Sequence, residues 1–595
     1  MRGPWRALLI GPWASPCLVA MSCFGALLSG LYPSLHWYDT GEWIAAPRTL
    51  SLAHPPGHPL TVLSTHISQL LPWLDAYARA NLASALWLSL ASALCCAAMR
   101  ALIPRRDGRA ELLSIAVGLY LPALPLVWLQ GVRAEVYAAQ CALSALTLLA
   151  WASYHSGSDR RWLLMGGLSL GLQASNHTLL AVAVAAPFCL WLTLGATRGL
   201  RSGRATAQSA QSSELTRLSP KALALSLSGA ALGLSLYLFL PLRGRAGGVE
   251  GWGWVSDLTS FWETLSAQVW RRSVIERSAE LELTENLTRF SAFMIEQLGS
   301  LSALLALGLT LLATLRWARR GAWAPALILS AVWVSVALTK LSYPFLEVNP
   351  DFSGYLSAGA PSLCLLLGLA CWTCSRRAAP LLMLALLLGA STQPRHHEAS
   401  QSYAAEAWLR SLTDELPPRG ALWSAHYATH FGLSALRVVE GWRPDTSLIF
   451  RGYWREPWAQ RRLQRSLGPM SAAEDAPPSP LQPRARFEAE GPVDPFPLLR
   501  ERARAVGLTW ALSPWAQPAS LAELSATLDR ARQRMDLTRG GLEQLSIDTC
   551  YALALYHEAQ LTWLNTGPSS LTEAPVAELR ALHLSQRDHW LSLLP

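Results

Sequence analysis

The chain has 595 residues, of which 51% are hydrophobic and only 15% are charged. A soluble protein would carry about 25% charged residues, so the composition excludes an ordinary soluble protein and predicts a membrane protein. The formal net charge is +9. Because the arginines flank hydrophobic runs and form no single basic patch, nucleic acid is not an expected partner.

Eleven apolar runs are candidate membrane-spanning helices, which need about 20 residues each, and the runs at 162–176 and 378–393 are short. We therefore predict an all-α polytopic membrane domain over residues 1–393, with about eleven transmembrane helices. The segment 59–73 contains His66 and Pro72, and it is predicted to be an interfacial or re-entrant helix. The eleven predicted spans are 10–31, 80–103, 111–130, 135–155, 162–176, 178–197, 222–241, 291–315, 323–343, 356–375 and 378–393.

The positions of the arginines predict the orientation, because basic residues accumulate in cytoplasmic loops. With the N-terminus in the cytoplasm, every second gap is basic, for example at Arg105 and Arg106, at Arg160 and Arg161, and at Arg376 and Arg377. The remaining gaps then face outward, and so does the C-terminal region. The sequence thus predicts a multi-pass membrane protein with residues 32–79 on the outward face, which in an inner membrane is the periplasmic face.

Residues 394–595 form a separate polar region, which we predict to be a soluble mixed α/β domain in the periplasm. Short β-like runs at 421–424, 446–450 and 508–512 alternate with helical ones, and a proline-rich stretch at 476–484 is typical of a linker. Nine of the ten cysteines lie in or beside apolar runs and Cys550 is alone in this region, so no disulfide framework is expected.

The first outward loop carries two carboxylates three residues apart, Asp39 and Glu42. On a helix they share a face, and a carboxylate near the bilayer can act as a general base toward a hydroxyl. The same spacing is also typical of a helix N-terminus, with Asp39 as the N-cap and Glu42 closing a capping box. The sequence leaves both interpretations open.

Two histidines follow in the same loop, at His54 and His58. Their spacing resembles a zinc pair, but Pro55 and Pro56 keep the chain out of the helical conformation, so the two rings do not share a helical face. We therefore expect a rigid extended turn that presents His54 to a phosphate, and no metal. Cys371 and Cys374 lie in an apolar span and are read as packed thiols, and no cofactor is expected either.

Other outward gaps contribute further polar residues to the same face. Arg133 and Glu135 are either a pair that anchors a span end or part of a cavity lining, because polar residues at this depth do one or the other. Asn176 and His177 are either a hairpin turn or functional residues. Arg243 follows the seventh span and precedes several aromatic residues, which are typical of a membrane interface.

Several of these motifs occur together in the order seen in one family, and the chain resembles the protein O-mannosyltransferase-like membrane proteins over about residues 10 to 450. The most specific part is the segment from Asp39-Thr40-Gly41-Glu42 to His54-Pro55-Pro56-Gly57. The other matching motifs are Glu135-Val136-Tyr137, Asn176-His177, Leu240-Pro241-Leu242-Arg243 and Gly441-Trp442-Arg443-Pro444-Asp445.

This resemblance implies a C-type glycosyltransferase that takes a sugar, for example mannose, from a polyprenyl-phosphate donor. The acceptor is a hydroxyl of a protein Ser or Thr or of a glycan. Asp39 is implied as the catalytic carboxylate of a single inverting displacement, with Glu42 beside it. The implied donor-binding residues are His54, His58, Arg133, Glu135, Tyr137, Asn176, His177 and Arg243.

A function of another class stays open, namely a transporter or flippase of lipid-linked saccharides. It would use the same outward arginines and aromatic residues, but it would need no catalytic base. A third interpretation is a glycan-binding scaffold. Release of polyprenyl phosphate in the absence of a gradient would distinguish the enzyme from the transporter.

Overall fold

The computed structural model describes the chain in segments, and almost all of the described residues that are regular are helical. The described helices are numbered α1 to α22 in chain order. The described residues are 13–103, 107–157, 159–201, 220–246, 251–253, 255–270, 282–320, 323–342, 350–392, 403–414, 421–424, 427–450, 504–505, 510–511, 521–537 and 573–592.

Helices α1 to α9 are Ala14–Ser29, Thr40–Thr49, Pro59–Gln69, Ala76–Leu102, Gly108–Ala123, Pro125–Val132, Tyr137–Gly157, Arg161–Asn176 and Thr178–Arg201. Helices α10 to α18 are Pro220–Leu234, Phe239–Ala246, Leu258–Leu265, Leu283–Leu298, Ser300–Arg320, Ala324–Leu341, Pro350–Gly354, Ala360–Cys374 and Ala379–Ser391. Two 3₁₀ turns, Ser235–Leu238 and Tyr355–Ala358, follow α10 and α16.

Several of these helices are apolar enough to cross a membrane, so the chain is a multi-pass membrane protein. Four described helical stretches are both long enough and apolar enough to cross a membrane: Ala76–Leu102, Lys221–Arg245, Ser300–Arg319 and Ala324–Leu341. The stretch Lys221–Arg245 combines α10, the 3₁₀ turn that follows it and α11. Shorter apolar helices occur at Ala14–Ser29, Thr178–Leu190, Ala360–Cys374 and Ala379–Ser391. The predicted number of spans and their orientation stay predictions.

Two predicted spans are interrupted. Residues 111–130 were expected to form one helix, but α5 and α6 meet at an angle of 71°. Pro125 opens α6 and offers no backbone N–H to the preceding turn, which is the physical reason for the break. The predicted span 291–315 is likewise divided, because Gly299 has a φ of 77° and ends α13 before α14 begins.

Helices α8 and α10 pack with their backbones in close contact. A Cβ atom on Gly167 would lie 2.0 Å from the Ser226 carbonyl oxygen, and one on Gly171 would lie 2.2 Å from that of Ala230. Small residues allow this approach between helices in a membrane, where apolar surface alone provides little attraction. This pair holds the end of α8, and therefore Asn176, in a fixed position.

Helix α4 begins at the cap Asp75, whose side chain accepts from the Ala78 N–H at 2.8 Å. Its buried Asn81 connects two loops, because it donates to the Tyr32 carbonyl at 2.8 Å and accepts from the Ala134 N–H at 2.7 Å. Ser84, one turn further, contacts the backbone of Glu135. The loop before α2 and the loop after α6 are thereby fixed next to each other.

The region after the last apolar helix is described in part. It contains α19 (Ala404–Asp414), β1 (Ala421–Ser424), α20 (Tyr427–Glu440), β2 (Ser447–Phe450), β3 (Arg504–Ala505), β4 (Trp510–Ala511), α21 (Leu521–Leu537) and α22 (Glu573–Ser592). Strands β1 and β2 pair in parallel, and β3 and β4 pair antiparallel. The domain division at residue 393 and the α/β class of this region stay predictions, and the linker at 476–484 lies outside the described residues.

Candidate functional site

The site is built around the N-terminus of α2. Asp39 immediately precedes the helix, and its side chain makes no capping hydrogen bond. The capping-box interpretation of Asp39 and Glu42 is therefore wrong, because the Glu42 carboxylate is used elsewhere. Glu42 is buried, whereas Asp39 is half-buried and is the more accessible carboxylate of the two.

Glu42 holds the second motif of the loop. Its Oε1 accepts from the His54 backbone N–H at 2.8 Å, and its Oε2 lies 2.5 Å from His54 Nδ1. The side chains of His54 and Glu42 are 17% and 5% exposed, so the pair is largely shielded from water. Because Nδ1 faces Glu42, the Nε2 edge of His54 is the edge left for a ligand.

The charges of this loop shift one another's ionisation. Burial and the negative charge of Asp351 raise the pKa of Asp39 to about 8. Burial lowers the pKa of His54, but the charge and hydrogen bond of Glu42 outweigh it and raise that pKa to about 9. His54 is therefore an imidazolium at neutral pH, and Asp39 exchanges its proton near neutral pH.

The rings of His54, His58 and His177 lie next to one another, and we call them the histidine row. His54 and His58 have ring centroids 4.8 Å apart, and His58 and His177 are 5.5 Å apart. His58 Nδ1 forms a hydrogen bond with the Asn176 carbonyl oxygen. The Nε2 atom of His58 and the Nδ1 atom of His177 are buried without a hydrogen-bond partner. These two nitrogens are the polar atoms that a hydroxyl-bearing ligand would satisfy.

The side chain of Asn176 holds the elements on both sides of the histidine row in place. Its Nδ2 donates to the Val136 carbonyl at 3.0 Å and to Gln140 Oε1 at 3.1 Å, and its Oδ1 accepts from Thr61 at 2.5 Å. The interpretation of Asn176 and His177 as a simple helical hairpin is therefore incomplete, because both contact the loop of His58.

Arg133 lies beneath the loop and is completely buried. Its Nη2 donates to Asp351 Oδ1 at 2.7 Å and to Gln130 Oε1 at 3.1 Å, and its Nη1 lies 3.2 Å from Glu135 Oε1. This arrangement supports the anchoring interpretation of Arg133 and Glu135, with Asp351 as an additional partner. The guanidinium is 0% exposed, and the predicted contact between Arg133 and a lipid phosphate stays a prediction.

Arg243 supports the opposite end of α2. Its Nε donates to the Leu50 carbonyl at 2.6 Å and its Nη2 to the Thr49 carbonyl at 3.0 Å. These carbonyls end the helix, and a cation at a helix C-terminus is favourable. These contacts support a role for Arg243 in holding the helix that carries Glu42, and its predicted role in binding the donor phosphate stays a prediction.

An aromatic wall completes the site. Trp43 packs against both histidines of the loop, with centroids 5.3 Å from His54 and 5.1 Å from His58. Trp252 lies 6.3 Å from His54 and is held by a hydrogen bond from its N–H to the Leu52 carbonyl. Trp270 lies 6.4 Å from His54 and 5.6 Å from Trp252.

At the other end of the histidine row, Tyr137 and Tyr355 enclose His177, with Tyr355 at 4.8 Å and Tyr137 at 6.2 Å. The Lys340 Nζ atom lies 3.4 Å from the centroid of the Tyr355 ring. This lysine is only 2% exposed. A buried cation near the end of an apolar helix is a frequent feature of ligand pathways in membrane proteins.

Sequence reasoning missed three participants. Asp351 was not assigned to the site, and its pairing with Arg133 depends on a contact over 218 positions. Lys340 carried a usable signal, because it is a lone lysine inside an apolar run. Gly41 carried no signal in the sequence beyond its place in the motif Asp39-Thr40-Gly41-Glu42. Within the part of the chain that the structure describes, no group of three or more His, Cys, Asp or Glu side chains is arranged to hold a metal ion.

The fold and the site together define a multi-pass membrane protein with a charged site at the end of its helices. Residues 39–198 match the sequence model of the protein O-mannosyl-transferase TMEM260 N-terminal domain. The predicted resemblance to the protein O-mannosyltransferase-like family is thereby confirmed over this segment, which begins at Asp39 and contains every site residue named above up to His177.

Two solved structures were found to be similar to the chain. The crystal structure of ArnT from Cupriavidus metallidurans bound to undecaprenyl phosphate has 12% identity and a TM-score of 0.44, and it covers 75% of this chain and 88% of its own. The same protein in the apo state has 14% identity and a TM-score of 0.33, with 74% and 90% covered. No curated protein matches the chain.

Proposed function

We propose that the protein is a membrane glycosyltransferase that moves a sugar from a polyprenyl-phosphate donor to a hydroxyl acceptor in one inverting displacement. The single observation that carries this proposal is the half-buried Asp39, held beside the Glu42–His54 pair at the start of the segment that matches an O-mannosyl-transferase domain. The sugar is a hexose such as mannose, and the acceptor is a protein Ser or Thr. The site and the C-terminal region face the periplasm.

Asp39 acts as the general base. The acceptor hydroxyl gives its proton to Asp39 while its oxygen forms a bond to the anomeric carbon. The bond from that carbon to the phosphate oxygen breaks, and the electron pair leaves with the polyprenyl phosphate. A base whose pKa of about 8 lies near the working pH is suited to this proton transfer, since it is partly ionised and still basic.

The leaving phosphate needs a positive charge or hydrogen-bond donors rather than an acid. His54 supplies both, because its ring is held as an imidazolium by Glu42 and its Nε2 edge is not used in that contact. Burial and the charge of His54 lower the pKa of His58 well below the usual value, so His58 stays neutral. With Asn176, His177 and Tyr137 it forms the wall for the donor, whereas Arg133, Glu135 and Arg243 hold the elements in place.

The test is an assay for polyprenyl phosphate released from a labelled polyprenyl-phosphate mannose by the full-length protein in detergent. Release that depends on an added Ser/Thr peptide, and that is lost in Asp39→Asn, is the expected result. A transporter would release no polyprenyl phosphate in a system without two compartments. Absence of release from mannose, glucose and galactose donors alike would overturn the proposed function.

A further inference from the structure

We propose that helix α20 positions Asp39, so that the first part of the C-terminal region completes the site of the membrane helices. Only the catalytic consequence rests on the proposed function, since the contacts themselves are geometric. Three sets of contacts carry the proposal: one joins α20 to α2, one joins α20 to its neighbour α19, and one joins both helices to the loop before Asp39 and to the start of α4.

The first contact joins two backbones. A Cβ atom on Gly41 would lie 2.4 Å from the Phe431 carbonyl carbon and 2.5 Å from both the Phe431 oxygen and the Gly432 nitrogen. The backbone of α20 therefore lies directly against the first turn of α2, two residues after Asp39. Because the nearest atoms belong to backbone, no rotamer change would make room for a side chain at Gly41.

The second contact fixes α20 from its other side. A Cβ atom on Gly432 would lie 2.4 Å from Cδ1 of Leu409, which is a buried residue of α19. Glycine thus occurs at both contacts of a three-helix stack, in which α20 lies between α2 and α19. Asp39 immediately precedes α2 and therefore lies next to this stack.

The third set is a group of polar contacts, here called the polar clasp, among Arg410, Glu406, Glu440, Ser34 and Tyr77. Arg410 of α19 donates to Glu406 at 2.7 Å and to Glu440 of α20 at 2.6 Å. Each glutamate also accepts from a hydroxyl in the N-terminal part of the chain: Glu406 from Ser34, and Glu440 from Tyr77 at 2.5 Å. The clasp thereby joins α19 and α20 to residues on both sides of α2.

The residue before Asp39 shows why support is needed. Tyr38 has a φ of 66°, in the left-handed region that bulky residues rarely adopt, and its side chain is buried. Such a conformation is strained and persists only where the surroundings hold it. The Tyr38 ring lies 6.3 Å from that of Tyr427, the first residue of α20. The direction of the Asp39 carboxylate thus depends on packing against this helix.

The experiment compares full-length variants for kcat, for KM of the lipid donor, and for hydrogen exchange of the α2 backbone amides. Arg410→Gln opens the clasp, and Tyr77→Phe removes one hydroxyl with the least risk to folding. Arg437→Gln is the matched control, because Arg437 also lies in α20 but donates to the carbonyl of Thr446, which follows the C-terminal end of that helix, at 2.7 Å. We expect Arg410→Gln to lower kcat about 10- to 100-fold, as small displacements of a reacting group do.

If the proposal is correct, Arg410→Gln also changes KM for the donor by less than about threefold and accelerates hydrogen exchange within α2. Arg437→Gln resembles the wild type in all three measurements. Tyr77→Phe should show the same pattern with a smaller change. A wild-type kcat and unchanged exchange in both Arg410→Gln and Tyr77→Phe would overturn the proposal. If the wild type transfers no sugar but exchange within α2 still accelerates, the positioning contact stands and the proposed function fails.

A rescue experiment tests the glycine stack. Gly432→Ala should lower kcat, because the new methyl group meets Leu409, and Gly432→Ala combined with Leu409→Ala should restore part of it. Leu409→Ala alone measures the cost of the cavity. A double variant no more active than Gly432→Ala, with Leu409→Ala close to wild type, would contradict the stack as the reason for the loss.

Discussion

His54 donates its backbone N–H to one oxygen of Glu42 and places its imidazole Nδ1 2.5 Å from the other. The carboxylate therefore joins helix α2 to the loop that follows it, twelve residues further along the chain, and both carboxylate oxygens are occupied. Asp39 has no comparable role in holding the loop. The two carboxylates of the motif therefore differ in role: Glu42 holds the site together, whereas Asp39 is available to react.

Replacement of the reacting carboxylate should abolish transfer. Asp39→Asn removes the base, and we expect kcat to fall about 10²- to 10⁴-fold while the affinity for the lipid donor changes little. The assay is release of polyprenyl phosphate together with donor binding by titration. Asp75→Asn is the control, because Asp75 caps α4 and should affect stability rather than turnover. Near-normal turnover of Asp39→Asn would remove Asp39 from the mechanism.

The pH dependence of kcat/KM should be a narrow bell. Activity rises as Asp39 loses its proton through about pH 8 and falls as His54 loses its proton through about pH 9. Removal of the negative charge in Glu42→Gln should move the alkaline limb toward lower pH, since that charge raises the pKa of His54. An alkaline limb that does not move in Glu42→Gln would show that His54 is not the group responsible.

Stability should depend on the same pair. The pKa of His54 is raised in the folded protein, so the stabilisation is complete below the unfolded value of about 6.5 and is lost as the pH rises through about 9. We expect Glu42→Gln to lower the free energy of unfolding by about 1.5–3 kcal/mol at pH 6 and by much less at pH 10. Thermal unfolding at the two pH values measures this, and an equal loss at both would contradict the ion pair.

Arg243 should behave as a residue that holds a helix rather than one that binds phosphate. Arg243→Met removes the donors to the Thr49 and Leu50 carbonyls, and we expect lower kcat with donor affinity within about threefold of the wild type. Arg245→Met is the matched control, because Arg245 lies two positions further in α11 and is exposed. A loss of donor affinity of about ten- to a hundred-fold, with kcat unchanged, would restore the phosphate role.

Reporter fusions test the predicted orientation. A reporter placed after Ser209 should report the cytoplasm, and one placed after Pro595 should be active only in the periplasm, because basic loops stay inside. The opposite result at either position would put Asp39 and the C-terminal region on different faces. In that case α20 could not contact Gly41 in the way described above.

The sequence was most informative where the signal is local. The hydrophobic runs predicted most of the helices, and the loop of Asp39, Glu42 and His54 was found because polar residues there stand out against apolar surroundings. The capping box was wrong although its spacing was right, because a buried histidine competed for Glu42 and a spacing rule contains no information on distant partners. The bend at Pro125 was also readable, but average hydropathy over the run concealed it.

Contacts over long separations were beyond such reasoning. Asp351 reaches Arg133 across 218 positions, and nothing in either neighbourhood specifies the other. The role of Arg243 had the same origin, since an arginine beside a span is equally suited to a lipid phosphate and to a helix end. Gly41 illustrates the limit most clearly, because its importance lies in the backbone of a helix that follows it by almost four hundred residues.

The contact between Gly41 and Gly432 also has a consequence for biosynthesis. The two glycines are 391 residues apart, since 432 minus 41 is 391, and at 5–20 residues per second the ribosome needs roughly 20–80 s between them. During that interval all the described apolar helices after α1 are made, but the support for Asp39 does not yet exist. A nascent chain, or one terminated before α20, would therefore sit in the membrane in an inactive form, and competence would arise only when the last of these partners is translated.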